Sequence, residues 1–79
     1  MQKILVVEDD EQFNAILTRT LAQAGYQAQG ATSANDAYNF MYEQSFDLIL
    51  SDIMMPDIDG YTFAETVRRT DPAIPILFI

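Results

Sequence analysis

Acidic side chains follow two short apolar runs of this sequence, at the point where each run ends. Glu8 and Asp9 come directly after residues 4–7, and Asp52 follows residues 48–50 with one serine between them. Continuous apolar runs of this length are typical of strands buried on both faces of a parallel sheet. Ligands of such sheets bind beyond the carboxyl ends of the strands, so the three carboxylates are candidates for one site.

Three carboxylates at short range repel one another strongly, and a bound cation relieves that repulsion. The sequence contains no histidine and no cysteine, and ligation by oxygen alone favours Mg²⁺ over zinc or copper. A backbone carbonyl just after Asp52 would complete the metal shell. A carboxylate beside Mg²⁺ can attack phosphorus and form an aspartyl phosphate, while the metal offsets the charge on the phosphoryl oxygens.

A purely structural role for these acids is the alternative. Residues 8–11 can form a solvated turn that caps a helix, and Asp52 can start a turn after its strand. Neither the acids of residues 8–11 nor Asp52, taken alone, decides between the structural role and the metal site. Together, each after its own apolar run, they favour the metal site.

The composition excludes several classes of function. The 79 residues form one small domain at most. Four basic against twelve acidic residues give a net charge of −8, which argues against direct binding of nucleic acid or an anionic membrane by this segment. No run approaches the ~20 apolar residues of a membrane span. We therefore expect a cytoplasmic protein without a membrane partner.

The apolar periodicity predicts the elements that must position the acids. The predicted strands cover residues 4–7, 26–31, 47–51 and 76–79. The predicted helices cover residues 11–24, 34–43 and 60–70. Strands that alternate with helices imply βαβ units in a parallel sheet, and right-handed crossovers place helices on both of its faces. The fold class is therefore α/β, with residues 26–31 as an edge strand.

The first predicted helix is amphipathic, with Asp10 as its N-cap and Gly25 as its stop signal. Its inward face is assigned to the apolar residues that recur at helical spacing, namely Phe13, Ile16, Leu17, Leu21 and Ala24. Its polar residues, Asn14 and Thr18 among them, are assigned to the other faces.

Two blocks of this sequence together resemble the receiver domain of two-component response regulators. Residues 3–10, Lys-Ile-Leu-Val-Val-Glu-Asp-Asp, are similar to the first strand and acidic turn of that family. Residues 48–60 are similar to its phosphoacceptor strand and loop. The resemblance covers the whole chain and implies a flavodoxin-like, doubly wound parallel sheet with strand order 2-1-3-4.

The resemblance also implies a role for individual residues. Asp52 corresponds to the phosphoacceptor, Asp9 to a direct metal ligand, and Glu8 to an acid that usually acts through water. Met54 corresponds to the residue whose backbone carbonyl binds the metal.

Other residues of the two blocks are expected to shape the backbone. Asp10 and Asp57 are interpreted as caps or turn residues rather than ligands. Pro56 matches a position where proline stiffens the loop. Gly60 matches a position where glycine allows backbone shapes that other residues resist.

The sequence departs from the family at its end. The family has a Ser or Thr just after the fourth strand, a Lys at the end of a fifth strand, and two further helices. This chain stops at Ile79, and Lys3 lies at the opposite end of the sheet. We therefore expect residues 1–79 to form a partial receiver domain without the phosphate-sensing groups, which self-associates through an open edge strand or folds only in part.

The resemblance implies a switch controlled by phosphorylation. A histidine kinase would donate a phosphoryl group to Asp52 with Mg²⁺, and the modified surface would act on an output domain. The usual output is transcriptional regulation through a DNA-binding C-terminal domain outside this chain, and a homodimer is a further expected assembly. Such a protein assists its own phosphotransfer but is not an enzyme, and this fragment is expected to be incompetent alone.

Three other functions are weighed against this one. The first is a pseudo-receiver or fragment that is never phosphorylated and acts only as a protein-interaction module. The second is an aspartate phosphatase, but such enzymes commonly carry a second acid two residues after the nucleophile, where this sequence has Met54. The third, a nucleotide-binding domain, would need a glycine-rich turn after the first strand instead of the acidic residues 8–11.

Overall fold

The computed structural model of the protein describes residues 2–79, which form a four-stranded sheet and three helices. The strands are β1 (Lys3–Val7), β2 (Gln27–Ala31), β3 (Leu48–Ser51) and β4 (Ile76–Phe78). The helices are α1 (Glu11–Gln23), α2 (Ala34–Glu43) and α3 (Gly60–Thr70). Each predicted element is present, with bounds that differ from the prediction by one residue at most. None of the helices within residues 2–79 combines the length and hydropathy that crossing a bilayer requires.

The sheet is parallel throughout, with strand order β2-β1-β3-β4. This is the flavodoxin-like, doubly wound order that the resemblance implied, and β2 lies at the edge as expected. Val7 of β1 is in register with Ala31 of β2 and with Ser51 of β3. The residues that follow β1 and β3 therefore leave the sheet side by side, at the point where the strand order reverses.

The main apolar core lies between one face of the sheet and the two helices α2 and α3. Phe63 of α3 is fully buried there and stacks on Tyr38 of α2, with ring centroids 5.4 Å apart. Burial of such a side chain contributes roughly 1.5–3 kcal/mol. The buried members of this core are Leu5, Val7, Ala31, Ala34, Ala37, Ile49, Phe63, Val67 and Ile74.

Helix α1 covers the other face of the sheet, and its predicted inward face was partly wrong. Phe13 and Ile16 are 43% and 56% exposed, whereas the polar Asn14 is buried. The stripe that meets the sheet is centred on Asn14, Leu17 and Thr18, which share a helix face at spacings of three and four. Phe13 and Ile16 fall on the flank of that stripe, so the contact between α1 and the sheet is partly polar.

Candidate metal centre

Three carboxylates converge at the carboxyl edge of the sheet. Glu8 and Asp9 follow β1 and Asp52 follows β3, and one carboxylate oxygen from each lies within 4.8 Å of the others. The backbone N–H of Asp52 donates to the carbonyl of Val7 over 2.9 Å, which extends the strand pairing up to the cluster. Neighbouring parallel strands thus bring together acids that are more than forty residues apart in sequence.

Glu8 is the most buried acid of the cluster, with 6% of its surface exposed. Its Oε2 accepts a hydrogen bond from the backbone N–H of Asp10 over 3.2 Å. Burial, reinforced by the neighbouring Asp9 and Asp52 carboxyl groups, raises the pKa of Glu8 from 4.5 to about 6, and the Asp10 N–H only partly opposes this rise. A bound divalent cation would favour the ionised form of Glu8 and so oppose this rise.

The acidic turn passes directly into α1. The Oδ1 atom of Asp10 accepts hydrogen bonds from the backbone N–H groups of Gln12 and Phe13, over 3.0 and 3.1 Å. Asp10 is therefore the N-cap that the sequence predicted. Because its carboxylate is engaged by the helix, Glu8 and Asp9 are the acids of this turn that face the cluster.

Asn14 also contacts the acidic turn, a contact that was not predicted from the sequence. Its Nδ2 atom lies 3.1 Å from the carbonyl oxygen of Glu8, 3.0 Å from that of Ala31 and 3.4 Å from that of Val6. The sequence feature that could have indicated this contact is the spacing of Asn14 from Leu17 and Thr18. That spacing places a polar residue on the helix stripe that meets the sheet.

Asp52 is half-buried at the end of β3. Its Oδ1 accepts a hydrogen bond from the backbone N–H of Met54 over 3.2 Å. Its backbone carbonyl accepts one from the hydroxyl of the fully buried Ser51 over 2.9 Å. These bonds hold the backbone on both sides of the carboxylate, while the assignment of the Met54 carbonyl as a ligand stays a prediction.

Gly60 serves the site in a different way from the one predicted. Its φ is not positive, since Gly25 is the glycine of the described residues with that conformation (φ 99°). A Cβ atom on Gly60 would lie 2.5 Å from the carbonyl oxygen of Asp52 and 2.8 Å from the Cα of Ile53. The expectation of an unusual backbone shape was therefore wrong, and Gly60 instead allows α3 to start against the backbone of Asp52.

The other acids of the β3–α3 loop act as caps. Asp57 accepts a hydrogen bond from the backbone N–H of Ala34 over 3.0 Å, at the start of α2, which agrees with its predicted capping role. Asp59 caps α3 by accepting from the N–H and the hydroxyl of Thr62, each over 2.9 Å, and these bonds lower the pKa of Asp59. This second cap was not predicted from the sequence, although Asp is a preferred N-cap residue. Asp52 is thus the acid of this region that joins Glu8 and Asp9.

A groove of about 550 Å³ lies elsewhere, between α2 and α3. Tyr38, Met41, Phe46 and Thr70 are among its lining residues, and none of the three clustered acids borders it. It opens near the start of β3, at the opposite end of the sheet from Asp52. The candidate chemistry therefore belongs to an open acidic surface rather than to this groove.

An acidic cluster at the switch point of a parallel 2-1-3-4 sheet defines the class, a flavodoxin-like α/β protein with a candidate metal centre at its carboxyl edge. Residues 4–79 match the family described as the response regulator receiver domain. Because this match spans nearly the whole chain, the chain belongs to the response regulator receiver domain family. The resemblance seen in the sequence is therefore confirmed. Receiver domains are signalling domains of two-component systems and are generally not classed as enzymes.

Curated relatives include response regulators of different lengths. The response regulator receiver protein CpdR from Brucella abortus is 37% identical over the whole chain, which covers 66% of CpdR. The transcriptional regulatory protein AfsQ1 from Streptomyces coelicolor is 35% identical over the whole chain, which covers 35% of AfsQ1. The chain therefore spans only part of the length of these relatives.

Solved structures of receiver proteins superpose closely on this fold. The chemotaxis protein CheY4 from Vibrio cholerae has a TM-score of 0.95 and 32% identity, over 99% of this chain and 67% of CheY4. The response regulator TrrA from Thermotoga maritima, solved in complex with Mg²⁺ and BeF, has a TM-score of 0.90 and 30% identity, over 96% of this chain and 66% of TrrA. TrrA has also been solved in complex with the histidine kinase ThkA.

Proposed function

We propose that this chain is a phosphorylation-controlled switch in which Asp52 accepts a phosphoryl group from a histidine kinase. Glu8, Asp9, Asp52 and the backbone carbonyl of Met54 would hold Mg²⁺. The observation that carries the proposal is the convergence of three carboxylates within 4.8 Å of one another. Carboxylate, carbonyl and water oxygens are the ligands that Mg²⁺ takes in proteins.

The proposed reaction uses one carboxylate oxygen of Asp52 as the nucleophile. This oxygen forms a bond to phosphorus as the P–N bond of a phosphohistidine donor breaks, and the departing imidazole keeps the bonding electron pair. Bound Mg²⁺ would offset the charge spread over the phosphoryl oxygens. The bond from the Met54 N–H to Oδ1 holds the carboxylate of Asp52 in a defined orientation, so the chain contributes positioning and local charge.

The relatives support the proposed cofactor and partners. TrrA binds Mg²⁺ with BeF in one solved structure and the histidine kinase ThkA in another. AfsQ1 is a transcriptional regulatory protein nearly three times as long as the part this chain matches. With a net charge of −8, this segment is unsuited to binding DNA itself. We therefore assign transcriptional output to a partner or a further domain.

Because residues 1–79 are expected to be incompetent alone, the proposal is tested on a complete receiver domain that contains them, by phosphorylation with acetyl phosphate in the presence of Mg²⁺. We expect intact mass spectrometry to show a gain of one phosphoryl group. Asp52→Asn should abolish the gain, because the amide is a far weaker nucleophile than the carboxylate. Asp36→Asn is the matched control, since it changes an exposed acid in the first turn of α2, and it should be phosphorylated like the unchanged domain.

Two results would contradict the proposed reaction. One is a mass gain that persists in Asp52→Asn. The other is no gain in the unchanged complete domain under conditions where a known receiver protein is phosphorylated, which would favour a protein-interaction module that is never phosphorylated.

A further inference from the structure

The side-chain amide of Asn14 is buried beneath the acidic turn, with 6% of the residue exposed. Its Nδ2 atom faces the carbonyl oxygens of Ala31, Glu8 and Val6 at 3.0, 3.1 and 3.4 Å. The reversed amide would place Oδ1 against three other oxygens, so the amide orientation is determined by its surroundings. Asn14 therefore acts as a hydrogen-bond donor that ties α1 to the ends of β1 and β2.

The Asn14 amide holds the backbone of Glu8 on both sides of that residue. It donates directly to the carbonyl of Glu8. It also donates to the carbonyl of Ala31, which itself accepts from the backbone N–H of Glu8 over 3.0 Å. The peptide bond between Glu8 and Asp9 is thereby held in place, and its orientation sets the direction in which both carboxylates leave the chain.

Gly30 of β2 supplies the space that the Asn14 amide occupies. A Cβ atom on Gly30 would lie 2.1 Å from Oδ1 of Asn14 and 3.1 Å from its Cγ. Gly30 has no positive φ, so backbone conformation does not require glycine here. A glycine inside a strand weakens it and often marks a close approach, and at this position the approaching group is Asn14.

We propose that the buried amide of Asn14, together with the space that Gly30 leaves for it, positions Glu8 and Asp9 to bind the divalent cation. Asn14 is a positioning residue and not a ligand, because it acts through the backbone of Glu8. This inference rests on the proposed metal site. Residues that orient metal ligands commonly change metal affinity by about 10–100-fold when they are replaced.

Titration with Mg²⁺ followed by NMR tests the role of Asn14, with urea unfolding of the metal-free chain measured in parallel. Asn14→Leu keeps a similar volume and removes the donors, and Gly30→Ala displaces the amide. We expect each to weaken Mg²⁺ binding by about tenfold. Thr18→Val is the matched control, since Thr18 also packs beside Gly30 but its hydroxyl bonds only to the carbonyl of Ala15. Its Mg²⁺ affinity should equal that of the unchanged chain.

The double variant Asn14→Ala/Gly30→Ala separates positioning from packing. The new methyl group at position 30 fits into the space that the truncated Asn14 leaves, so the urea midpoint should exceed that of Asn14→Ala alone. The Mg²⁺ affinity should stay as weak as in Asn14→Ala, because the donors are still missing. This variant also carries the test if Asn14→Leu does not fold.

The outcomes distinguish this inference from the proposed function. Mg²⁺ binding that is unchanged within about twofold in Asn14→Leu, or regained in the double variant, would overturn the positioning role alone. No Mg²⁺ binding by the unchanged chain would overturn the proposed metal site and this inference together.

Discussion

Glu8 stands at the end of β1, where burial and neighbouring acids oppose its ionisation. Its pKa rises from 4.5 to about 6, with burial as the largest cause and the Asp9 and Asp52 carboxyl groups adding to it. Asp59 shows the opposite case, since hydrogen bonds from Thr62 lower its pKa. A carboxylate that binds a metal is expected to be costly to ionise while the cation is absent. The carboxylate of a helix cap, by contrast, is stabilised as the anion by the helix alone.

The raised pKa of Glu8 predicts how the stability of the metal-free chain depends on pH. The folded state holds the proton of Glu8 more tightly than the unfolded state between pH 4.5 and about 6. The stabilising contribution is therefore complete below pH 4.5 and is lost as the pH rises through 6. The loss amounts to about 2 kcal/mol in the free energy of unfolding.

Urea unfolding of the unchanged chain and of Glu8→Gln, across this pH range, measures that contribution. Glutamine stays neutral, so the stability of Glu8→Gln relative to the unchanged chain should increase with pH. Glu65→Gln, at an exposed position of α3, is the control and should show no such trend. A stability difference for Glu8→Gln that stays constant with pH would contradict the prediction.

At the scale of elements, the β3–α3 loop is held by contacts with two helices. Asp57 accepts from the start of α2, and Asp59 caps α3. Gly60 begins α3 directly against Asp52, and its N–H donates to the carbonyl of Ile53 over 2.6 Å. The position of α3 and the backbone of Asp52 are therefore linked by direct contact.

Gly60→Ala is predicted to lower stability and to slow phosphorylation of Asp52. The new methyl group would lie 2.5 Å from the carbonyl oxygen of Asp52, and this is a backbone atom that can move only if the loop moves. Overpacking of this kind costs roughly 1–3 kcal/mol. Gly60 is the first residue of α3, where the better interior helix propensity of alanine offsets little of that cost.

Urea unfolding and the rate of phosphorylation by acetyl phosphate, both measured on a complete receiver domain that contains residues 1–79, report the two effects of Gly60→Ala. Glu65→Ala is the control, because it introduces the same residue at an exposed position of the same helix. It should leave the rate unchanged. A Gly60→Ala variant as stable and as reactive as the unchanged domain would refute the close-packing role.

At the scale of the whole molecule, one side of the sheet is only partly covered within residues 2–79. Helix α1 lies over β1 and β2, while Leu50 of β3 is half-buried and Leu77 of β4 is 56% exposed. Phe13 and Ile16 on α1 are also exposed, and β4 forms the edge of the sheet. Exposed apolar side chains along an open strand edge are typical of a surface that binds another chain.

We therefore predict that the 79-residue chain self-associates, with an average mass in sedimentation equilibrium that rises with protein concentration. The net charge of −8 opposes association, so added salt should promote it by screening that repulsion. Leu77→Lys should shift the chain towards the monomer. Tyr42→Lys, at a residue of α2 that is 93% exposed, is the matched control and should not. A monomer at every concentration and ionic strength would refute the prediction.

The sequence by itself determined the elements and the placement of the clustered acids. Apolar periodicity is a local property, so strand and helix bounds could be predicted to within one residue. Caps are local as well, which is why Asp10 could be assigned. Glu8, Asp9 and Asp52 follow apolar runs that became neighbouring parallel strands, and the geometry of such strands brings their carboxyl ends together.

Only the tertiary structure decided which polar and small residues support that site. The spacing along α1 allows several stripes to face inward, and the position of α1 over β1 and β2 selected Asn14 instead of Phe13 and Ile16. The space at Gly30 and the approach of Gly60 to Asp52 exist only between segments distant in sequence. Helical and strand periods repeat along one chain, whereas close contacts depend on how two backbones meet.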